Sequence, residues 1–85
     1  MSAVERMIAF HLERLKDKNA EVRLKSIEEL LLLEATSALE MLESVFRSDP
    51  DETVRLAAKK AGRVLYFKLK EREEKSDGSG GSESG

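Results

Sequence analysis

One stretch of this chain is written twice. Asp17, Val22, Arg23 and Leu24 recur 32 residues later as Asp49, Val54, Arg55 and Leu56, and Leu33 and Leu65 close the two units in step. A period of this length marks a supersecondary unit that cannot cover its own apolar face and stacks on its copy. The chain is 85 residues long, one small domain at most. A domain of this size buries only about 60% of its unfolded surface, so it must pack well to hold together.

Within the two units the apolar spacing is helical. It predicts four amphipathic helices near residues 2–16, 20–34, 37–47 and 51–74, an all-α fold. Ser2 with Glu5, and Ser37 with Glu40, have capping-box spacing. Asn19 or Asp17 can cap the second helix, and Asp51 the fourth, behind the stop that Pro50 imposes on the third. The expected buried stripes are Val4, Ile8, His11, Leu12 and Leu15; Ala38, Leu39, Leu42, Val45 and Phe46; and Val54, Ala58, Ala61, Leu65 and Leu69. Helix two carries Val22, Ser26, Leu30 and Leu33 on one face and Leu24, Ile27 and Leu31 on another, so it should be sandwiched between neighbours. Val22 and Val54 are expected in equivalent buried sites, as are Leu33 and Leu65. The domain thus spans residues 1–75. Residues 76–85 hold four of the five glycines and no apolar side chain, and read as a disordered Gly/Ser-rich linker or tail.

The repeated Asp, with Val five and Arg six residues on, resembles the HEAT repeat, most closely its short variant found in phycobilin lyases. Asp49-Pro50-Asp51, then Val54-Arg55 with small Ala58 and Ala61, is the better copy. The first copy has Lys18 where proline is usual and Ser26 where alanine is usual. The resemblance covers roughly residues 4–69. It implies a right-handed α-solenoid fragment of two stacked antiparallel helix pairs. It also implies a structural polar ladder made by Asp17, Arg23, Asp49 and Arg55. Each of these arginines lies at the side of an apolar stripe, which agrees with that role. The resemblance says little about function.

At the same offset Ile27 becomes Lys59 and Leu31 becomes Arg63. The positions that should face a next unit turn cationic in the last helix, as expected of a capping repeat.

Chemistry is sparse. His11 is the only histidine and sits on an apolar stripe, where a packed ring is the expectation. There is no cysteine, hence no disulfide and no thiolate metal site, and no Gly-rich loop ahead of the tail. The carboxylates Glu28, Glu29, Glu34, Glu40 and Glu43 read as solvated surface charge. No enzyme, cofactor or metal is expected. A lyase activity by analogy would need a nucleophile and a chromophore pocket that so short a chain lacks. The longest aliphatic run, Leu30 to Leu33, is far below the roughly 20 residues of a membrane span. A cytoplasmic protein with no membrane contact is the expectation.

The net charge of −2 hides a segregation. Residues 1–52 carry seven Lys/Arg against twelve Asp/Glu, while residues 53–75 carry eight against three. On the last helix Leu56, Arg63 and Phe67 share a side, with Lys59, Tyr66 and Lys70 beside it. Aromatic and aliphatic groups among cations make a candidate partner-binding face. Alternatively, Tyr66 and Phe67 fold down onto helix two, or Phe67 meets helix one. The expected function is protein–protein interaction or scaffolding, with another protein or an adjoining domain of the same polypeptide as partner. The alternative is a nucleic-acid phosphate backbone on the stripe Lys59, Lys60, Arg63, Lys68, Lys70 and Arg72. The acidic body and a pI near 5.5 weigh against it.

Overall fold

Among the described residues four α-helices follow one another: α1 (Ala3–Arg14), α2 (Ala20–Leu32), α3 (Leu39–Ser48) and α4 (Glu52–Gly81), with a 3₁₀ turn at Thr36–Ala38 before α3. The computed structural model describes the backbone of residues 1–81 and the side chains of residues 1–75. No strand occurs among the described residues.

The starts of three helices follow from local side chains. Ser2 Oγ accepts the Glu5 N–H at 3.0 Å and Glu5 accepts the Ser2 N–H at 2.9 Å, a complete capping box. Asn19 accepts the Glu21 N–H at 2.8 Å to open α2, while Asp17 supports the loop by accepting the Asn19 N–H at 2.8 Å. Asp51 accepts the Val54 N–H at 3.0 Å to open α4. The start of α3 differs from the expectation. Ser37 lies inside the 3₁₀ turn and makes no capping bond, because an N-cap needs extended backbone and this serine is already wound.

The end of α2 has an unusual residue. The Ala35 N–H donates to the Leu30 carbonyl at 3.0 Å and the Glu34 N–H to the Leu31 carbonyl at 2.9 Å. These are the two bonds of a Schellman motif. Its left-handed position, usually glycine, is held by Glu34 at φ 53°.

The helices meet around a core of Leu15, Ile27, Leu30, Ala35, Ala38, Leu42, Val54, Ala58, Ala61 and Leu65. In it α3 packs on α4, α2 on α4, and α1 on α2. Small Ala58 and Ala61 let α4 approach its neighbours closely. As the offset predicts, Ile27 is buried and Leu31 half-buried, whereas Lys59 and Arg63 are exposed.

Some expectations are corrected by the packing. Val54 and Leu65 are buried, but their counterparts Val22 and Leu33 are only half-buried. Val22 and Leu33 lie near the two ends of α2, whose neighbour α1 buries no residue of its own, whereas α4 packs on both α3 and α2. Val4 and Phe46 are exposed, at the outer edges of their helices. The burial of α3 also follows α1 at an offset of 30, not 32: Ile8, His11, Leu12 and Leu15 match Ala38, Met41, Leu42 and Val45. The reason is the connection. Two residues, Leu15 and Lys16, separate the end of α1 at Arg14 from Asp17, while α3 runs through Ser48 straight into Asp49. Finally, α4 continues to Gly81, past the end expected near Lys75. No proline stands there to stop it, and helix ends are set by small per-residue differences. Residues 82–85 of the expected tail lie outside the described residues.

Candidate functional site

Two constellations stand out, one buried and polar, one open and apolar. The first joins the two units. Arg23 Nε donates to Asp49 Oδ2 at 2.7 Å and Nη2 to Oδ1 at 2.9 Å, a bidentate pair with both residues about 8% exposed. The remaining edge of Arg23 donates through Nη1 to the carbonyls of Asp17 at 2.8 Å and Lys18 at 3.1 Å. Arg55 repeats the second part, with Nη1 donating to the Asp49 carbonyl at 2.7 Å. All four expected ladder residues therefore take part, in two different ways. Asp49 uses its carboxylate and its carbonyl, whereas Asp17 uses only its carbonyl towards arginine.

Charge chemistry at the clasp is shifted accordingly. Burial pushes the Asp49 carboxyl up. The hydrogen bonds from Arg23 and from the Asp51 N–H, with the nearby Arg23 and Arg55 charges, overcome this and hold it below its ordinary value. The hydrogen bond to Asp49 raises Arg23 against the opposing effect of burial. Both groups stay ionised across the physiological range, as a structural pair does.

The second constellation is a groove of about 510 Å³ between α3 and α4. Leu39, Leu42 and Phe46 come from α3, and Ala58, Gly62, Tyr66 and Phe67 from α4. Its rims carry opposite charge: Glu40 and Glu43 on α3, Lys59 and Arg63 on α4. Tyr66 and Phe67 are exposed, 50% and 68%, and meet edge to face with centroids 6.0 Å apart. They do not fold down onto α2. Lys59 Nζ stands 5.7 Å from the Phe46 ring centroid, linking the two walls.

Of the six residues expected to form a partner face, Lys59, Arg63, Tyr66 and Phe67 line this groove. Leu56 is exposed but away from it. Lys70 sits beside it, 5.9 Å over the Tyr66 ring, and bridges Glu73 at 3.6 Å. The α3 wall and Gly62 are the parts that the reading of the last helix alone leaves out. A signal for Gly62 exists in the sequence, because the 32-residue offset carries buried Leu30 onto it.

The basic stripe is partly spent within the molecule. Lys68 bridges Glu34 at 3.5 Å, and Arg72 reaches the Glu34 carboxylate at 3.3 Å and Thr36 Oγ1 at 3.2 Å. The strained Glu34 thus ties the end of α2 to α4. His11 is half-buried, its ring 5.1 Å from that of Phe10, with Nδ1 lacking a hydrogen-bond partner. Among the described residues no group of three His, Asp or Glu is placed to hold a metal ion. Within the same residues, no helix is long and apolar enough to cross a membrane. Comparison with protein-family models, with curated proteins and with solved structures returned no match.

Proposed function

We propose that this chain is a non-catalytic protein-interaction or scaffolding module, built as two HEAT-like units, that takes a helical segment of another protein into the groove between α3 and α4. In this reading the four helices form a right-handed α-solenoid fragment of two antiparallel pairs, and the groove is the place where a third pair would stack. The bound segment has an apolar seam for Phe46, Tyr66 and Phe67. One of its flanks is acidic, towards Lys59 and Arg63, and the other basic, towards Glu40 and Glu43. A cytoplasmic location belongs to the same reading.

The observation that carries it is Gly62. A glycine inside a helix costs about 1 kcal/mol relative to alanine. Nothing in the fold asks for one here: its φ is not positive, and an added Cβ would meet nothing within 4 Å. In the first unit the same position is Leu30, fully buried beneath the next unit. Glycine in its place opens the floor of the groove at a stability cost, which a docking function offsets. The charge pattern favours a peptide over a phosphate backbone. Two carboxylates on the facing wall would repel phosphate, and Lys68 and Arg72 already bridge Glu34.

A test uses three synthetic helical peptides with the same leucine seam. One has a glutamate flank and a lysine flank, one has glutamate on both, one has lysine on both. Titrated into the isotopically labelled chain, the mixed peptide should bind best and shift the Gly62, Tyr66 and Phe67 resonances, and Gly62→Leu should abolish it. Equal binding of all three, or insensitivity to Gly62→Leu, refutes the groove. Tight binding of labelled DNA that weakens by about one logarithmic unit per phosphate contact for each tenfold rise in salt would favour nucleic acid instead.

A further inference from the structure

The outer face of α1 is apolar without a cause inside the molecule. Helix α1 contains no buried residue, and among the other helices it packs mainly on α2. Val4, Met7 and Phe10 are each about half exposed, at 50%, 46% and 55%. The second unit does not share this feature. By the burial register of α1 and α3, Met7 and Phe10 correspond to Ser37 and Glu40, both polar and both exposed. An apolar stripe at the place where the copy is polar is a surface kept for contact.

Its chemistry selects a second copy of the same helix. Ala3, Met7, Phe10 and Arg14 follow the alternating three- and four-residue spacing of a helix-pairing seam. Arg6 and Glu13, seven residues apart, lie along one flank of it. Within the chain, Arg6 makes no bridge among the described residues, and Glu13 meets only exposed Lys16, at 3.6 Å. We infer that α1 pairs antiparallel with α1 of a second copy. In that arrangement Met7 faces Phe10 of the other copy, Ala3 faces Arg14, and Arg6 lies beside Glu13. The two-fold axis makes every contact twice, including the Arg6–Glu13 pair. Arg14, already 5.2 Å over its own Phe10 ring, covers the end of the seam. Two helices about 18 Å long make a small interface, so the dimer is weak and reversible.

The test is sedimentation of the full chain over a wide concentration range, with circular dichroism confirming that each variant is folded. The parent should show a reversible monomer–dimer equilibrium. Phe10→Lys should give monomer alone, and Leu32→Ser, at an exposed leucine elsewhere, should leave the equilibrium unchanged. Arg6→Glu should weaken the dimer about tenfold, because two attractive pairs become repulsive. Adding Glu13→Arg to that variant should restore it. A parent that stays monomeric to about 1 mM, a concentration at which any association with a dissociation constant below about 1 mM would show, overturns the inference. So does a dimer indifferent to Phe10→Lys, or a double variant as weak as the single one.

Discussion

The guanidinium of Arg23 holds both carboxylate oxygens of Asp49, 26 residues away, at 2.7 and 2.9 Å. Among the described residues it is the one polar link between the units buried on both sides. Removing either partner leaves an uncompensated charge in a nearly dry site, which costs about 3–5 kcal/mol. Domains of this size are stable by only about 0.05–0.15 kcal/mol per residue. Urea melts of Arg23→Ala and Asp49→Ala should therefore show a large loss each, and the double variant much less than their sum. Additive losses would mean that the pair does not act as a unit.

The same clasp sets an acid limb. The folded-state pKa of Asp49 is depressed, so the unfolded chain binds the proton more readily. Its contribution is fully present above the unfolded value of about 3.9. It is lost as pH falls from there through the lower folded value. Melting temperature against pH should fall more steeply below about pH 4 in the parent than in Asp49→Asn. Parallel acid limbs would remove Asp49 as the cause.

Ser26 is 1% exposed and its hydroxyl has no hydrogen-bond partner, while the equivalent residue of the second unit is Ala58. A buried unpaired hydroxyl is destabilising by about 1–3 kcal/mol. Ser26→Ala should raise the denaturation midpoint, by about 1 kcal/mol in stability. A lower midpoint would point to a bond that the serine makes in solution.

Leu65 is fully buried, whereas Leu33 at the end of α2 is half-buried. Leu65→Ala should cost about 2–5 kcal/mol. Leu33→Ala should cost clearly less, by roughly the area it retains in contact. Equal losses would place the two leucines in matching environments after all.

Much of this architecture is legible in the chain and some is not, for physical reasons. Caps that use a side chain near the helix start, such as Ser2, Asn19 and Asp51, follow from residue type and spacing. The change from Ile27 to Lys59 shows in the repeat because both positions are side-chain decisions. The Arg–carbonyl bonds to Asp17 and Asp49 are invisible to a side-chain pattern, since any residue supplies a carbonyl. Glu34 in a left-handed conformation is hidden for the same reason: its backbone is fixed by the bonds to Leu30 and Leu31 and its side chain by Lys68 and Arg72. The groove needs two helices at once. A face drawn on α4 alone includes Leu56 and omits Glu40, Glu43 and the floor at Gly62.

The exposed ends of that groove give a further expectation. Replacing Lys59 with isoleucine and Arg63 with leucine restores the pattern that the first unit buries as Ile27 and Leu31. The double variant should fold and self-associate through a continuous apolar patch. If it stays monomeric in sedimentation at concentrations where the parent does, these cations are not what closes the array.

Arg55 grips the Asp49 carbonyl as Arg23 grips that of Asp17, yet it has no carboxylate bridge among the described residues. The clasp therefore has a direction and two ends without a charged partner of this kind among the described residues: the Asp17 carboxylate, which accepts only the Asn19 N–H, and the outer edge of Arg55. A second copy of residues 17–48 inserted between Ser48 and Asp49 would bring an aspartate for Arg23 and an arginine for Asp49, and leave the same two ends. The connector renews itself with each 32-residue step. A chain of this kind can grow or shrink by whole units without inventing a new joint.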